Sequence, residues 1–370
     1  MKTYFWCKNC LNISTRPRIT FDERGFCNAC QWSEEKKKLD WKKRQEFLIN
    51  TLDEQKKNRI GNYDCLVPVS GGKDGTYVAY QLREKYASNI LTITSRPPLE
   101  LDVGEKNLKN FIQKNFDHIH ITPNKKAMRA INKLGFIKKG SPYYGWLVSI
   151  FTTVIRTAIS NDINLIFYGE DGEIEYGGSS ENKDNPFFNL KFTIKNYFEG
   201  DHKEICSESG LDKHELFWFT FNEKEISEKE IKLTHWGYYE PWDSYRNYLF
   251  AKERKILKES TDANVGTFTN FAQNDQAFFA LHTYLMYLKF GFGRATQDAG
   301  IEIRRGAMTR DQALNLVKLY DNCFPTKFLS QYLDYYEMER DEFESVLDRH
   351  VNKDLFKRVK GKWEPIFKII

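Results

Sequence analysis

The feature that most constrains this chain of 370 residues is a glycine-rich turn between an apolar strand and a helix. The segment reads Leu66-Val67-Pro68-Val69-Ser70-Gly71-Gly72-Lys73-Asp74-Gly75-Thr76, and apolar residues at helical spacing follow it. Adjacent glycines let the backbone approach a ligand closely. Free N–H groups at the helix start then point to one place, where the helix dipole favours negative charge. The pattern predicts a phosphate loop at residues 69–76, with an ordinary strand–helix turn as the alternative.

The turn matches neither the Walker nor the Rossmann pattern of nucleotide-binding glycines. It resembles the Ser-Gly-Gly-x-Asp-Ser loop of the PP-loop ATP pyrophosphatases, with residues 70–72 and Asp74 in matching positions. Gly75 stands where that family usually has serine, and Thr76 carries the next hydroxyl. The resemblance implies an enzyme that splits ATP into AMP and pyrophosphate. It also implies that the loop backbone holds the pyrophosphate.

Two charged residues stand in this loop. A carboxylate beside bound phosphates is repelled unless a cation lies between them, and magnesium prefers such oxygen ligands. We therefore predict that Asp74 is catalytic and binds Mg²⁺, with a helix N-cap as the alternative. Lys73 either adds a positive charge to the catalytic site or faces solvent. Thr94 and Ser95, at the end of the second predicted strand, occupy the position where PP-loop enzymes bind adenine.

An acidic segment follows the fourth predicted strand and reads Gly169-Glu170-Asp171-Gly172-Glu173-Ile174-Glu175-Tyr176-Gly177-Gly178. Ligands of parallel sheets bind beyond the carboxyl ends of the strands. Carboxylates gathered there repel each other unless something cationic or polar binds. The predicted roles are ATP binding for Gly169, catalysis for Glu170, Asp171 and Glu173, and substrate binding for Glu175 and Tyr176. A solvated surface loop is the alternative.

Four of the seven cysteines are patterned. Cys7 and Cys10 form one Cys-x-x-Cys pair, Cys27 and Cys30 form a second, and sixteen residues separate the pairs. This spacing is typical of a four-cysteine zinc site, whose closed ligand shell leaves no catalytic position. We predict structural Zn²⁺ here. A disulfide pair or a redox Cys-x-x-Cys is the alternative.

A second group of charges lies near glycines in the C-terminal third. Arg294 follows Gly293, and Arg304 and Arg305 precede Gly306. Guanidinium groups suit phosphates and carboxylates. We therefore predict that these arginines bind the substrate, with ordinary helix surface charge as the alternative.

The alternation of strands and helices from residue 62 predicts an α/β fold with a parallel sheet. The predicted strands cover residues 64–69, 90–94, 118–121 and 165–168, and a late helix covers 327–346. The predicted organisation is a four-cysteine knuckle at 1–32, a linker helix at 33–60, a nucleotide-binding domain at 61–260 with an insertion at about 179–260, and a C-terminal helical region at 261–370.

Composition narrows the class of protein. Charged residues make up 29% of the chain, and the formal net charge is +5. No stretch approaches the roughly 18 apolar residues that a membrane span needs, and the N-terminus lacks the apolar core of a signal peptide. We expect a cytoplasmic enzyme that does not associate with membranes. The modest net charge does not indicate a nucleic-acid partner.

The motifs form one ordered set along the chain. The cysteine knuckle is followed by Pro-Val-Ser-Gly-Gly-Lys-Asp-Gly, then by Gly-Glu-Asp-Gly-Glu-Ile-Glu-Tyr-Gly-Gly, and then by Phe-Gly-Phe-Gly-Arg-Ala-Thr-Gln-Asp. This set resembles the N-acetyl sugar amidotransferases of bacterial surface-polysaccharide and nonulosonic-acid pathways, including those of the pseudaminic and legionaminic acid type. The resemblance spans nearly the whole chain. The Lys-Asp-Gly form of the loop is expected in that subfamily.

The resemblance implies a Rossmann-like fold of the adenine nucleotide alpha hydrolase type. It implies that an acetamido sugar or nucleotide sugar becomes an acetamidino product, with ATP and Mg²⁺ as cofactors. The amide oxygen is adenylated, ammonia attacks, and AMP and pyrophosphate leave. Ammonia comes from partners similar to the glutaminase and cyclase subunits of imidazole glycerol phosphate synthase. A tRNA-modifying enzyme of the thiolation type and a non-catalytic zinc-ribbon scaffold are the alternatives.

Overall fold

The computed structural model describes residues 4–200 and 202–369. The predicted knuckle starts at residue 1, the predicted insertion includes residue 201 and the predicted C-terminal region ends at residue 370, and these three positions lie outside the described residues. Within the described ranges, one sheet contains β1 (Cys65–Pro68), β2 (Ile90–Ser95), β3 (Asp117–Ile121), β4 (Leu165–Tyr168) and β5 (Lys232–His235).

The strand order is β3-β2-β1-β4-β5, and the neighbouring strands pair in parallel. In the central strand, Leu66 pairs with Leu91 of β2 on one side and with Ile166 of β4 on the other. The chain fills the sheet outward from β1 to β3 and then returns to place β4 beside β1. Ligands of such sheets bind at this point of reversal. The predicted α/β fold with a parallel sheet is confirmed, and the turns after β1 and β4 lie side by side.

β5 lies inside residues 179–260, the range predicted as an insertion without strand–helix alternation. It pairs with β4 along its length, from Leu165 beside Lys232 to Tyr168 beside His235. These residues therefore belong to the sheet, which corrects the predicted extent of the insertion. A strand that reads Lys-Leu-Thr-His has too few apolar residues to stand out in the sequence, and pairing with β4 decides its conformation.

Helices connect and cover the strands. Those before β5 are α1 (Asn28–Glu35), α2 (Trp41–Asn58), α3 (Lys73–Tyr80), α4 (Asp102–Ile112), α5 (Lys125–Lys139), α6 (Tyr144–Ser160), α7 (Gly172–Tyr176), α8 (Leu190–Asn196), α9 (His202–Glu208) and α10 (Glu223–Glu228). Those after β5 are α11 (Ser244–Glu253), α12 (Phe278–Phe290), α13 (Arg294–Arg305), α14 (Arg310–Tyr320), α15 (Leu329–Tyr336) and α16 (Arg340–His350). Among the helices of the described ranges, none is both long enough and apolar enough to cross a membrane.

The C-terminal region differs from the predicted all-helical arrangement in two places. The predicted helix at 327–346 is divided into α15 and α16, because Glu337 takes a left-handed backbone conformation (φ 50°) that ends α15. Residues after α16 form an antiparallel hairpin of β6 (Phe356–Val359) and β7 (Lys362–Pro365). The helix break carries no glycine or proline, so no local residue pattern indicates it.

One apolar core joins the sheet to the C-terminal helices. Leu66 and Ile166 of the sheet are buried in the same cluster as Phe278 of α12 and Tyr332 of α15. The rings of Phe278 and Tyr332 stack with their centroids 5.4 Å apart. The C-terminal region is therefore packed directly against the layer that carries the candidate site.

Replacing Phe278 by alanine should destabilise the chain as a whole. Phe278 is fully buried, and the loss of such a side chain costs about 3–5 kcal/mol of unfolding free energy. Ile60→Ala is the control, because Ile60 is 85% exposed and surface changes stay within about 0.5 kcal/mol. Chemical denaturation followed by circular dichroism measures both variants. Equal effects of the two changes would contradict a core shared by the sheet and the C-terminal helices.

Candidate active site

The predicted phosphate loop lies at the carboxyl end of β1 and leads into α3. Gly71 has a positive φ of 76°, and Gly72 has an extended backbone immediately before the helix. The first N–H groups of a helix have no partner within that helix. The start of α3 therefore presents free donors next to the loop, which is the geometry that anion binding requires. Phosphate binding by this loop stays a prediction.

Gly75 replaces the serine that is usual in PP-loop enzymes, and the structure gives a steric reason. A Cβ atom at this position would lie 2.8 Å from the carbonyl oxygen of Pro68 and 3.1 Å from Cα of Val69. Close packing leaves no room for such an atom without a backbone shift. Thr76, the neighbouring residue, is fully buried, and its contact with ATP stays a prediction.

The two charged residues of the loop face each other. Lys73 is buried and its ammonium group pairs with the carboxylate of Asp74, which excludes the solvent-facing alternative for Lys73. Asp74 also accepts a hydrogen bond of 3.1 Å from Nδ2 of Asn247 in α11. Gly72 occupies the N-cap position of α3, and no side chain in the described part of the chain caps that helix. Asp74 is therefore not an N-cap, and its magnesium role stays a prediction.

A cavity of about 240 Å³ opens beside the loop. It brings together three predicted ATP-binding segments, represented by Val69, Ser70 and Gly75 of the loop, Thr94 and Ser95 of β2, and Gly169 after β4. An apolar wall is formed by Ile93, Trp146, Ile150 and Val154. Apolar walls with a few polar groups are typical of small-molecule sites. The cavity is therefore suited to a flat heterocycle such as adenine.

Two polar residues of this site carry no signal in the sequence. Asp275, from the segment before α12, lines the cavity. Burial raises the pKa of its carboxyl to about 6, and a hydrogen bond from Ser70 opposes that rise. Asn247 reaches Asp74 from α11. No motif surrounds either residue, and both come from parts of the chain far from the loop, so only the tertiary structure reveals them.

The acidic segment (residues 170–178) follows β4, and its first two carboxyl groups, Glu170 and Asp171, are called the inner pair. Of these two, Glu170 lies near Asp74 of the loop. Burial raises the pKa of Glu170, and the neighbouring charge of Asp74 raises it further. Oη of Tyr176 donates to Oε1 of Glu170 at 3.4 Å. Asp171 caps α7 by accepting a backbone hydrogen bond, and burial raises its pKa to about 7. The inner pair therefore supplies two carboxyl groups whose pKa values lie above those of ordinary carboxyl groups.

The outer pair, Glu173 and Glu175, is bound by the N-terminal region. Arg18 donates two hydrogen bonds to Glu173, at 2.6 and 2.8 Å. Lys36 donates to both oxygens of Glu175 at 2.8 Å, and Nε1 of Trp32 donates to one of them at 2.9 Å. The outer pair thus joins the acidic segment to the N-terminal region. Both carboxylates are therefore paired in this structure, and the catalytic role of Glu173 and the substrate role of Glu175 stay predictions.

Of the three predicted substrate-binding arginines, Arg294 is the one whose charge acts on Glu170. Its Nε donates to Asp298 at 2.8 Å, and its Cζ lies 5.8 Å from the ring centroid of Tyr176. The positive charge of Arg294 opposes the rise in the pKa of Glu170. Arg294 and Tyr176 are therefore brought together with Glu170.

Arg304 and Arg305 take other positions. Nη2 of Arg304 donates to the carbonyl oxygen of Glu175 at 2.8 Å, on the side of the acidic segment that faces the cysteines. Arg305 pairs with Glu302 and lies 4.8 Å from the ring centroid of Tyr245. Arg304 and Arg305 nevertheless line one cavity of about 110 Å³ together with Glu175 and Tyr176. Arg294 is not among the residues that line this cavity, and substrate binding by the three arginines stays a prediction.

The four patterned cysteines come together and form no disulfide bonds. Their Sγ atoms all lie within 4.8 Å of one another, and three of the separations are 3.6–3.7 Å. A tetrahedron with Zn–S bonds of about 2.3 Å places its sulfur atoms about 3.8 Å apart. The donor set and its spacing therefore fit a metal ion such as zinc, held without an open catalytic position.

Comparison with protein families gives a match in the C-terminal region. Residues 265–369 match the model of the C-terminal domain of WbpG-like LPS biosynthesis proteins. The matched segment includes Asp275, Arg294 and the β6–β7 hairpin. A comparison with curated proteins found no match. The C-terminal region is therefore similar to a domain of lipopolysaccharide biosynthesis proteins.

Two solved structures resemble this chain weakly. One is an NH3-dependent NAD synthetase from Campylobacter jejuni subsp. jejuni NCTC 11168, in complex with the nitrate ion, with 14% identity and a TM-score of 0.29. The other is an NMN synthetase from Francisella tularensis, with 14% identity and a TM-score of 0.30. Each similarity covers 52% of this chain and 96% of the other chain. Likenesses of this strength establish nothing about this chain, whose fold is shown by its own sheet.

Asp171→Asn should remove a pH-dependent loss of stability. Burial raises the pKa of Asp171 from 3.8 to about 7, so the folded state holds this proton more tightly than the unfolded state does. The stability that the protonated group contributes is full at low pH and is lost as the pH rises through this range. Asparagine also serves as an N-cap but does not titrate.

Chemical denaturation at a series of pH values compares the two proteins. We expect the free energy of unfolding of Asp171→Asn to rise relative to the wild type as the pH increases from about 4 to about 7, and the difference to be constant above that range. Asp262→Asn, the same change at an exposed position, is the control for the substitution itself. A difference that does not vary with pH would contradict the buried position of Asp171.

Proposed function

We propose that this chain is an ATP-dependent amidotransferase that converts the acetamido group of a sugar or nucleotide sugar into an acetamidino group. The observation that carries the proposal is the meeting of the phosphate loop, Asp74 and Glu170 at one edge of the sheet. The match of residues 265–369 to WbpG-like proteins supports a role in lipopolysaccharide biosynthesis. The ordered set of sequence motifs supports the specific reaction.

ATP is proposed to bind along the edge formed by β2, β1 and β4. The N–H groups of the loop and of the start of α3 hold the pyrophosphate end. The cavity between Thr94 and Trp146 takes the adenine. Asp74 is the residue placed to hold Mg²⁺, which when bound neutralises charge on the phosphates. Lys73 adds a positive charge at the same place, so the charge of the leaving pyrophosphate is stabilised as it develops.

The proposed reaction has two steps. The acetamido oxygen attacks the α-phosphorus, the bond from that phosphorus to the bridging oxygen breaks, and pyrophosphate leaves. Ammonia then adds to the activated carbon and gives up a proton. The carbon–oxygen bond breaks, and AMP leaves with the former amide oxygen. Glu170 is placed to accept the proton, because its raised pKa makes it a stronger base than an ordinary carboxylate.

The activated intermediate must be kept from water, or it hydrolyses. Two residues from the C-terminal region stand at the site, since Asp275 lines the cavity and Arg294 lies over Tyr176. The C-terminal region therefore covers part of the site. We assign to it the exclusion of water and, through Arg294 and Tyr176, contact with the acceptor sugar.

Ammonia is proposed to come from partner subunits of the glutaminase and cyclase type. The sequence of this chain carries no glutaminase nucleophile motif, which agrees with a nucleophile delivered from elsewhere. In the assay, ammonium at high concentration replaces these partners. The four-cysteine site is proposed to hold zinc in a structural role.

The purified chain should act on an acetamido sugar or nucleotide sugar when supplied with ATP, magnesium and ammonium. Mass spectrometry is expected to show a product one mass unit lighter, as NH replaces oxygen, together with AMP and pyrophosphate. Asp74→Asn should lower kcat by about 100-fold or more, because it removes a charge that stabilises the transition state. Asp262→Asn is the matched control and should keep full activity. Formation of ADP in place of AMP would contradict the proposal.

A further inference from the structure

We propose that the four-cysteine site positions the acidic segment of the candidate active site, and that Asn12 is the positioning residue that couples the two. The cysteines lie in the first 30 residues of the chain, and the acidic segment lies at residues 170–178. The sequence alone therefore does not indicate that the two sites are in contact. The coupling itself follows from contacts in the structure. Its effect on catalysis rests on the proposed function.

The backbone of Asn12 is held by the first Cys-x-x-Cys pair, Cys7 and Cys10. Its backbone N–H points to Sγ of Cys10 at 3.4 Å, and its carbonyl oxygen accepts a hydrogen bond of 2.8 Å from the N–H of Cys7. Its side chain is buried and is therefore held by the fold of the knuckle. The position of this side chain thus depends on the arrangement of the metal-binding residues.

The side-chain amide of Asn12 bridges the two sites. Nδ2 donates to Sγ of Cys27 at 3.4 Å and to the carbonyl oxygen of Tyr176 at 3.1 Å. A primary amide has two N–H hydrogens, so one nitrogen can serve both acceptors at once. A hydrogen bond to a thiolate sulfur is favoured when a metal ion holds that sulfur in its anionic form. Asn12 therefore connects a metal ligand directly to the backbone of the acidic segment.

The acidic segment is shaped to allow this approach. Gly177 has a positive φ of 94°, and a Cβ atom there would lie 2.8 Å from Nδ2 of Asn12. Only glycine combines this backbone conformation with so close a contact. The next residue is also held from the N-terminal region, because Nδ2 of Asn28 donates to the carbonyl oxygen of Gly178 at 2.5 Å. Two asparagines from the knuckle thus hold two carbonyl groups of the segment, those of Tyr176 and Gly178.

The contact continues into the candidate active site through Tyr176. The carbonyl oxygen of this residue accepts from Asn12, while its hydroxyl donates to Glu170 at 3.4 Å and its ring faces Arg294. A shift of the Tyr176 backbone therefore moves a side chain that contacts the proposed catalytic base. Displacements of about 1 Å at such positions cost up to about 100-fold in rate.

Asn9 provides a matched control. Nδ2 of Asn9 donates to Sγ of Cys30 at 3.3 Å, so both asparagines contact a cysteine sulfur through the same kind of bond. Of these two asparagines, only Asn12 also donates to the acidic segment in the described part of the chain. Asn9→Ala and Asn12→Ala therefore remove equivalent contacts to the metal site, and they differ in the bridge to Tyr176.

The first experiment measures hydrogen–deuterium exchange and the zinc content of each variant. Neither readout depends on which reaction the protein catalyses. Asn12→Ala is expected to keep its zinc and to raise deuterium uptake several-fold in the peptide covering residues 170–178. Asn9→Ala is expected to leave that uptake at the wild-type level. Unchanged uptake in Asn12→Ala, or an equal rise in both variants, would overturn the proposal.

If Asn12→Ala loses its metal, Asn28→Ala decides the question, because the Asn28 side chain holds Gly178 without contacting a cysteine sulfur in the described structure. With zinc fully bound, Asn28→Ala must raise the same uptake, and unchanged uptake overturns the proposal. The second measurement is the rate of AMP formation. Asn12→Ala should lower kcat by about 10- to 100-fold with little change in KM for ATP, whereas a merely destabilised protein keeps its kcat per folded molecule.

Discussion

The parallel pairing of β1 with β4 places two different turns at one edge of the sheet. The turn after β1 supplies N–H donors and the Lys73–Asp74 pair, and the turn after β4 supplies the carboxyl groups of the acidic segment. Neither turn forms the proposed site alone. The turn after β1 attracts anions but does not supply the proposed base, and the carboxylates of the turn after β4 repel anions. Their juxtaposition follows from the strand order. The rest of the molecule supports this edge from two sides.

The N-terminal and C-terminal regions give that support in different ways. The N-terminal region binds the outer carboxylates through Arg18 and Lys36, whereas Glu170 of the inner pair lies near Asp74 of the loop. The C-terminal region contributes Asp275 and Arg294 to the neighbourhood of the cavity and shares a core with the sheet. Burial of charged groups here is costly unless they are paired. The ion pairs formed by Glu173 and Glu175 therefore leave Glu170 as the carboxyl group proposed to act as the base.

Much of this arrangement could be predicted from the sequence, because local patterns encode it. The loop from Ser70 to Thr76, the cysteine pairs and the acidic segment are each readable from adjacent residues. Asp275 and Asn247 could not be predicted, because long-range packing brings them to the site. The sequence also shows that Glu173 carries a charge, but not which cation it meets. β5 could not be predicted either, because its four residues carry too little periodicity.

The most direct test of the central claim follows the oxygen atom of the acetamido group. An acceptor sugar labelled with ¹⁸O at this position is incubated with ATP, magnesium and ammonium, and the nucleotide product is examined by mass spectrometry. If the amide oxygen attacks the α-phosphorus of an ATP whose pyrophosphate end is held by the loop, each AMP formed carries one ¹⁸O. Unlabelled AMP, or label found in inorganic phosphate, would show that ATP activates a different group and would contradict the account.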